Sequence, residues 1–131
     1  MISTKGRYAL RVMLDLAENG KNGFVPLKEI AERQGISKKY LEIIVKELVK
    51  GKLVHGASGK GGGYALTRAA DDYSVGEIIE LTEGEITSVA CLSGGANKCP
   101  RAKNCKTLPL WSEYNALIKN FFYSKKLTDL L

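Results

Sequence analysis

PLKEIAERQGISKKYLEIIVKELVKGKLVHGASGKGGGYALTR, residues 26 to 68, is the stretch that decides the fold. Its first part, Leu27 to Gln34, carries apolar side chains at the spacing of an amphipathic helix. Gly35 has the permissive backbone that ends a helix, and Ser37 is a residue type that caps the start of the next one. Three residues therefore separate two helices, which is the turn length of a helix-turn-helix.

The second helix is predicted to run from Lys38 to about Gly51. One apolar stripe should face the first helix and consists of Leu41, Ile44, Val45, Leu48 and Val49. In a helix-turn-helix, the N-terminal residues of the second helix meet base edges in the major groove, while lysines, serines and free N–H groups hold phosphates. Ile43 is left at the same outer end. We therefore predict DNA contacts from this end and from one residue of the first helix: Ser37, Lys38, Lys39, Tyr40, Glu42 and Lys28.

A β-hairpin is predicted to follow, with Leu53 to His55 as its first strand and Tyr64 to Leu66 as its return. The turn between the strands, GASGKGGG, has a single charge at its tip. Glycines let a backbone lie close to another surface, and the charge can enter a minor groove or touch phosphate. The hairpin is therefore interpreted as the wing of a winged helix, with DNA contacts expected from Ser58, Lys60, Gly61 and Gly62.

Nucleotide-binding loops also contain clustered glycines, and neither of their two motifs fits this turn. A P-loop needs a glycine five residues before the Gly59-Lys60 pair and a serine or threonine after the lysine, whereas this chain has Val54 and Gly61. No G-x-G-x-x-G register fits, and no helical pattern follows the glycines. A helical hairpin and ribbon used for protein contacts is the alternative, but charge and shape together favour DNA.

Charge is unevenly distributed along the chain. Residues 1–70 hold 13 lysines and arginines against 6 acids, a net of +7, while residues 71–131 hold 7 against 8, a net of −1. The positive excess lies on the half with the helix-turn-helix, so duplex DNA is its simplest partner, although composition alone would also permit a membrane surface or an acidic protein. No segment approaches the roughly 20 apolar residues of a membrane span, and no signal peptide is apparent, so a cytoplasmic protein is expected.

Two further helices are expected to flank this unit. Residues 3 to 19 are predicted to form a scaffold helix capped by Ser3 or Thr4. Its cations either grip phosphate or are solvated surface charges, and they are Lys5, Arg7 and Arg11.

After the wing, residues 69 to 73 are expected to be a polar connector. A short helix over residues 74 to 84, SVGEIIELTEG, should begin with a capping box of Ser74 and Glu77. Its apolar residues are expected to pack onto the DNA-binding domain, and they are Val75, Ile78, Ile79 and Leu81.

The last long helix is predicted from Leu108 or Pro109 to about Tyr123. Its broad apolar face would be poorly covered by one small domain and comprises Leu110, Trp111, Tyr114, Leu117, Ile118, Phe121 and Phe122. We expect the same helix of a second copy to cover it, giving a homodimer through residues 108–123 that suits a palindromic operator. The alternative is a helix folded back on its own domain.

The chain is accordingly expected to be mainly α-helical with a small β-hairpin. It divides into a winged helix-turn-helix domain at residues 1–84, a cysteine-bearing segment at 85–107, and a dimerisation helix with its tail at 108–131. No base, nucleophile and orienting group converge in the sequence, so an enzyme is not expected.

The cysteines Cys91, Cys99 and Cys105 all lie in CLSGGANKCPRAKNCK, residues 91 to 106, which contains no acid. Three thiols cannot pair off as internal disulfides, and structural zinc would need a fourth ligand and its usual C-x₂₋₄-C spacing. An iron–sulfur cluster, 2Fe–2S or 4Fe–4S, fits better because basic neighbours can offset its charge: Lys98, Arg101, Lys103 and Lys106. Metal-free redox thiols are the alternative. His55, the single histidine, is expected to have a structural role.

The chain resembles the IscR-like family of winged-helix repressors over nearly its whole length. The resemblance is carried by the three cysteines before the helix at Trp111 and by STKGRYAL at 3–10, LKEIAERQGIS at 27–37, YLE at 40–42 and GGGY at 61–64. It implies a dimeric bacterial transcription regulator that senses iron–sulfur status, nitric oxide or redox state. The cluster of such a protein would be held by Cys91, Cys99 and Cys105.

Several positions depart from the family's pattern. IscR-type members have a histidine three residues after the last cysteine, where this chain has Leu108. The nitric-oxide-sensing branch can use an aspartate from the partner's first helix, and the matching position here is Arg7. The fourth ligand is therefore unassigned. Family wings often place an arginine before the glycines, where this chain has Ser58, so Lys60 is the candidate for the minor groove. A cysteine-metabolism branch lacks the cysteine segment, which argues against that assignment.

Overall fold

The structure is a computed structural model that describes residues 1–94 and 99–131. Within these residues the helices and strands are, in chain order, α1 (Thr4–Asn19), α2 (Leu27–Gln34), α3 (Lys38–Lys50), β1 (Val54–Ala57), β2 (Gly63–Leu66), α4 (Val75–Glu83) and α5 (Leu108–Ser124). Short 3₁₀ turns lie at Ala70–Asp72, Ala90–Leu92, Ala102–Asn104 and Leu127–Leu130. The expected fold class, mainly α with a small β-hairpin, is confirmed.

The helix-turn-helix forms as its local sequence indicates. Gly35 adopts a left-handed backbone with φ of 63° and ends α2. The Ser37 hydroxyl accepts a hydrogen bond of 3.1 Å from the Tyr40 N–H and so caps α3. The Ser3 hydroxyl caps α1 in the same way by accepting from the Gly6 N–H at 3.3 Å. Both caps satisfy backbone donors that a helix start leaves without a partner.

The core lies where α1, α2 and α3 meet, and it includes Met13, Ile30 and Ile44, each 0% exposed. Four residues of the predicted apolar stripe on α3 are buried as expected: Leu41, Ile44, Val45 and Leu48. Val49 is 38% exposed, so its expected burial is wrong. Its position on the helix is roughly 90° away from the centre of the buried face, which leaves it at the edge of the stripe.

The wing is an antiparallel hairpin that pairs Val54 with Leu66 and Ala57 with Gly63. Its strands thus reach further into the glycine-rich turn than the sequence indicated. Val25 adds a bridge to Tyr64 through backbone hydrogen bonds of 2.8 and 2.9 Å. Gly63 makes this approach possible, because a Cβ at this position would lie 2.3 Å from the Val25 carbonyl oxygen. The base of the wing is therefore fixed to the strand that leads into α2.

The expectation of a polar connector at residues 69–73 is wrong for Tyr73, which is 0% exposed. Its hydroxyl donates to the Leu53 carbonyl at 2.7 Å and accepts from the backbone N–H groups of Thr67 and Arg68 at 2.9 and 3.0 Å. A tyrosine can be buried when its hydroxyl is satisfied in this way. The Arg68 guanidinium covers the ring at 4.3 Å, so this tyrosine links the wing to the region before α4.

Helix α4 lies between two apolar clusters. The expected capping box of Ser74 and Glu77 is present. Ile78 and Leu81 pack on the main core. Val75 and Ile79 do not pack there as expected, because they belong to a second cluster with Ile86, against which Ile118 and Phe122 of α5 are packed. A helix that is apolar on more than one face is buried against more than one partner.

Helix α5 is joined to the rest of the domain at its C-terminal end. The Tyr123 ring lies so close to Gly76 that a Cβ there would be 2.5 Å from a ring carbon. The Tyr123 hydroxyl donates to Glu80, and burial together with this hydrogen bond raises the pKa of Tyr123 to about 12. Helix α5 runs to Ser124, one residue beyond the predicted end.

The residues after α5 return to the main core. The Val75 N–H donates to the Lys125 carbonyl at 2.8 Å, and the Leu127 N–H donates to the Tyr73 carbonyl at 3.0 Å. Leu127 is 0% exposed and belongs to the main cluster with the helix-turn-helix residues. The chain segment after the long helix is thus built into the same core as α1 to α3.

Candidate DNA-binding surface and cysteine segment

The outer end of α3 is open to solvent. Lys38, Lys39 and Glu42 are exposed there, while Ser37 is committed to capping the helix through its hydroxyl. Free N–H groups and two ammonium groups at a helix start attract anions, and phosphate oxygens are such anions. Four of the residues predicted to contact DNA therefore share one exposed helix end.

Tyr40 differs from its neighbours on α3 because it is half-buried. Its ring packs edge-on against the Tyr8 ring of α1, with ring centroids 5.9 Å apart. The Arg11 guanidinium lies 5.1 Å from the Tyr8 ring on the same helix. The ring of Tyr40 thus contacts the scaffold helix as well as the predicted DNA surface.

The tip of the wing is shaped by its glycines. Ser58, Lys60 and Gly61 are exposed, and Gly62 is half-buried. The Gly62 N–H closes a turn by donating to the Gly59 carbonyl at 3.0 Å. A Cβ at Gly62 would lie 2.4 Å from the Ala57 carbonyl oxygen, so this turn requires glycine. The tip therefore exposes one ammonium group on a backbone without bulky side chains.

Lys28 is exposed in the first turn of α2, directly after the strand residue Val25 that pairs with the wing. The cations of α1 are placed differently. The Lys5 ammonium lies 3.0 Å from the Glu47 carboxylate of α3, and the Arg11 guanidinium donates to the Gln34 side chain of α2 at 3.1 Å. These two side chains join helices, a role that the sequence analysis did not assign to them.

A buried ion pair between α1 and α2 was also missed from the sequence. The Arg33 guanidinium donates two hydrogen bonds, of 3.0 and 2.8 Å, to the carboxylate of Asp15. The Gln34 amide donates to the same carboxylate at 2.9 Å. The Asp15 side chain is only 1% exposed, and the hydrogen bond and charge of this carboxylate raise the pKa of Arg33. An acid on the inner edge of α1 was the only signal, and its partner lies 18 residues away.

The outward face of α5 is apolar and exposed. Large side chains on it are 37 to 64% exposed: Leu110, Trp111, Tyr114, Leu117 and Phe121. Between this helix, α4 and the N-terminus lies a groove of about 730 Å³ whose lining includes Met1, Ile79, Ile86 and Phe122. A contiguous apolar surface of this kind is a common sign of a protein interface.

The three cysteines are present as thiols, each half-buried. Cys91 lies in the 3₁₀ turn Ala90–Leu92, and the Cys99 carbonyl accepts from the Ala102 N–H at 3.1 Å. Hydrogen bonds from the Thr107 side chain and backbone, then from the Leu108 N–H, together with the charge of Arg101, lower the pKa of the Cys105 thiol. Lys98, named above as a basic neighbour, lies outside the described residues.

The donor chemistry of this segment suits an iron–sulfur cluster, but its geometry does not gather the donors. Among residues 1–94 and 99–131, no three side chains of histidine, cysteine, aspartate or glutamate form a group that could hold a metal ion. A thiol whose pKa is lowered favours the thiolate that metals bind. Ligation by Cys91, Cys99 and Cys105 would therefore require the segment to rearrange.

His55 is exposed at the base of the wing, and its ring lies 5.2 Å from the Phe24 ring. This contact is a packing role on the outside of the wing. In the part of the chain that the structure describes, no helix is both long and apolar enough to cross a membrane.

A helix-turn-helix followed by a glycine-tipped hairpin, with lysines on the outer end of its second helix, defines a winged-helix DNA-binding protein. The chain belongs to the Rrf2 family, described as "Iron-dependent Transcriptional regulator", which it matches over residues 2–131. It is 38% identical over 130 residues to the HTH-type transcriptional regulator IscR of Erwinia tasmaniensis, a match that covers 99% of this chain and 78% of that protein. The expected kinship with IscR-like regulators is thus confirmed.

Two solved structures extend this likeness. The global cysteine regulator CymR of B. subtilis is similar with a TM-score of 0.80 and 36% identity, covering 99% of this chain and 95% of that one. T. potens IscR is similar with a TM-score of 0.78 and 35% identity, covering 99% and 85%. The protein is a transcription regulator that binds DNA and is not an enzyme, as the sequence indicated. The fold does not separate it from the cysteine regulators.

Proposed function

We propose that this protein represses or activates transcription as a homodimer on a palindromic operator, and that an iron–sulfur cluster in the cysteine segment adjusts its affinity for DNA. Residues 1–84 would bind DNA, 85–107 would hold the cluster and 108–131 would form the dimer. Operator binding would place the protein in the cytoplasm. The observation that carries the DNA part is the exposure of Lys38 and Lys39 on the capped end of α3, beside a wing whose tip exposes Lys60.

The DNA contacts follow from this surface. Helix α3 would enter the major groove with its N-terminal end, while the wing would reach the neighbouring minor groove or phosphates. Contacts are proposed from Lys28, Ser37, Lys38, Lys39, Tyr40, Glu42, Ser58, Lys60, Gly61 and Gly62. The Ser37 hydroxyl caps the helix, so this residue would contribute mainly by orienting the free N–H groups toward phosphate.

The dimer is proposed from the apolar face of α5. One domain leaves Leu117 64% exposed and Phe121 56% exposed, and the adjoining groove is also apolar. A second α5 would remove this surface from water, with a stabilisation of about 25 cal/mol per Å² buried. A twofold axis would set the distance between two α3 helices, as a palindromic site requires.

The cluster is proposed to be held by Cys91, Cys99 and Cys105. When bound, it would supply chemistry that responds to iron, oxygen or nitric oxide. The chain would contribute three thiolates, with Arg101 nearby as a positive charge that lowers the pKa of Cys105. The fourth ligand stays unassigned.

A second candidate is favoured by a specific observation. The pKa of the Cys105 thiol is lowered by hydrogen bonds from Thr107, and in this structure the described cysteines are not gathered around a common point. A thiolate of this kind reacts readily with oxidants. The same cysteines could therefore act as redox thiols without metal.

DNA binding is tested by selecting duplexes from a random pool with the purified protein and measuring affinity for the enriched site. We expect a palindromic sequence bound in preference to random DNA, and preference for no sequence would contradict the proposal. The dimer is tested by sedimentation of Leu117→Glu, which should give a monomer. Asn120→Glu, exposed on another side of α5, is the matched control and should stay dimeric.

The cluster is tested by anaerobic purification or by reconstitution with iron and sulfide. We expect visible absorption and bound iron, both lost in Cys91→Ser, Cys99→Ser and Cys105→Ser. A colourless protein without iron, whose operator affinity still changes when the thiols are oxidised, would support the metal-free alternative instead.

A further inference from the structure

Ile43 is an exposed apolar residue in the middle of the exposed face of α3. It is 52% exposed, and within the described residues it belongs to neither apolar cluster. The buried residues of this helix lie on the opposite side, roughly 150° away at 3.6 residues per turn. Ile43 therefore points away from the domain that supports the helix.

The neighbours of Ile43 on this face are positively charged. Lys39 precedes it by four residues and Lys46 follows it by three, so both lie beside it on the helix surface, and both are exposed. An apolar side chain is thus flanked by two ammonium groups. On a helix lying in a groove, such lysines would reach the phosphates on either side and leave the residue between them facing the bases.

The fold does not account for an isoleucine at this position. A β-branched side chain forms helices less readily than alanine, lysine or glutamate. Exposure gives it no burial in return. Its helix would be at least as stable with almost any unbranched residue, so the feature that isoleucine supplies is a branched apolar surface directed outward.

We propose that Ile43 is a specificity-determining residue that contacts the C5-methyl group of a thymine in each operator half-site. This inference rests on the proposed DNA binding and adds which base α3 selects. The thymine methyl is the apolar group on base edges in the major groove, and apolar side chains are its usual contacts. Lysines beside Ile43 would fix the position of the helix without distinguishing sequences.

The test removes the methyl group alone. Each thymine of the enriched operator is replaced in turn by deoxyuridine, which keeps the same hydrogen-bonding groups, and affinity is measured by fluorescence anisotropy. At one thymine per half-site, we expect the wild-type protein to lose about fourfold in affinity per methyl, the value of one buried methyl group. Other thymines should show no such loss.

The same series is then measured with variants. Ile43→Ala should bind the thymine and deoxyuridine operators equally, whereas Ile43→Val should retain part of the preference. Val49→Ala is the matched control, because Val49 is also exposed on α3 but lies in its last turn, and it should keep the full preference.

Two results would overturn the inference. One is that no thymine of the operator shows a methyl effect in the wild-type protein, and the other is that Ile43→Ala keeps the effect unchanged. Both results leave operator binding intact and so differ from failure of the proposed function, in which the wild-type protein selects no operator at all.

Discussion

The backbone N–H of Ser88 donates to the side-chain oxygen of Asn115 at 2.7 Å and so joins the segment just before Cys91 to the middle of α5. The Ser88 hydroxyl adds a hydrogen bond of 3.3 Å to the Trp111 carbonyl, one helical turn earlier. On the other side of Cys91, the Gly94 N–H donates to the Glu85 carboxylate at 2.7 Å. A change of shape around this cysteine therefore acts directly on the helix proposed to form the dimer.

Asn115→Ala should weaken the link between the cysteine segment and DNA affinity. It removes the acceptor of the Ser88 N–H, so we expect the ratio of operator affinities between protein with and without iron and sulfide to move at least threefold toward one. The ratio is measured by anisotropy at equal iron content. Asn120→Ala, on a side of α5 away from Ser88, is the control. An unchanged ratio in Asn115→Ala would contradict a coupling through this contact.

Lys38→Ala and Lys39→Ala should each weaken binding to all duplexes alike. If each lysine neutralises one phosphate, the slope of log affinity against log salt should fall by about 0.9 per site contacted, hence by about twice that in a dimer. Lys125→Ala, beyond the end of α5, removes an equal charge far from α3 and should leave the slope unchanged. A loss confined to the cognate operator would instead assign base contacts to these lysines.

Gly76→Ala should destabilise the protein, and its effect should change sign when Tyr123 is absent. A Cβ at Gly76 would lie 2.5 Å from the Tyr123 ring, and overpacking of this kind costs about 1–3 kcal/mol. In a Tyr123→Ala background the clash is gone, and alanine should stabilise α4 by up to about 1 kcal/mol through helix propensity. Urea unfolding of the four proteins measures both effects. Equal destabilisation in both backgrounds would contradict the packing of α5 on α4.

Glu77→Gln should lose a stabilisation that depends on pH. Burial alone would raise the pKa of Glu77, but hydrogen bonds from Arg68 and the Ser74 backbone outweigh it and hold the pKa below its ordinary value of 4.5. A carboxylate with a lowered folded-state pKa stabilises the fold above its unfolded-state pKa and loses this contribution as pH falls through the folded value. The difference in Tm between wild type and Glu77→Gln should therefore be largest near neutral pH and shrink below pH 4.5.

Asp71→Asn is the control for this measurement, because Asp71 is exposed in the turn before α4. Its difference in Tm from wild type should vary little over the same range. A Glu77→Gln difference that stayed constant with pH would remove the ion pair with Arg68 as its source.

Local signals in the sequence predicted the helix-turn-helix well. Gly35 and Ser37 act within one turn of their own positions, so their roles could be inferred without knowing the rest of the fold. The same holds for the capping box of Ser74 and Glu77. Caps and turns depend on backbone geometry that neighbouring residues determine, which makes them accessible to sequence reasoning.

Features that depend on distant partners were missed or misplaced. Tyr73 lies among acids and was taken as part of a polar connector, but its hydroxyl is satisfied by Leu53, 20 residues earlier. Val75 and Ile79 were expected on the main core, although α5 supplies their partners. For the cysteine segment, spacing identifies donors but carries no information on whether the sulfurs converge. In each case the deciding contact is tertiary.

Helix α5 is anchored at one end only by the core itself. Beyond Ser124, the Lys125 and Leu127 backbones bond to the residues around the start of α4, whereas its first residue, Leu108, follows Cys105 by three positions. The helix has 17 residues and is about 25 Å long. A displacement at the cysteine end would therefore swing this helix like a lever about a hinge near Tyr123. Two such levers crossing at a twofold axis would convert a small movement of sulfur atoms into a change in the spacing of the two DNA-reading helices.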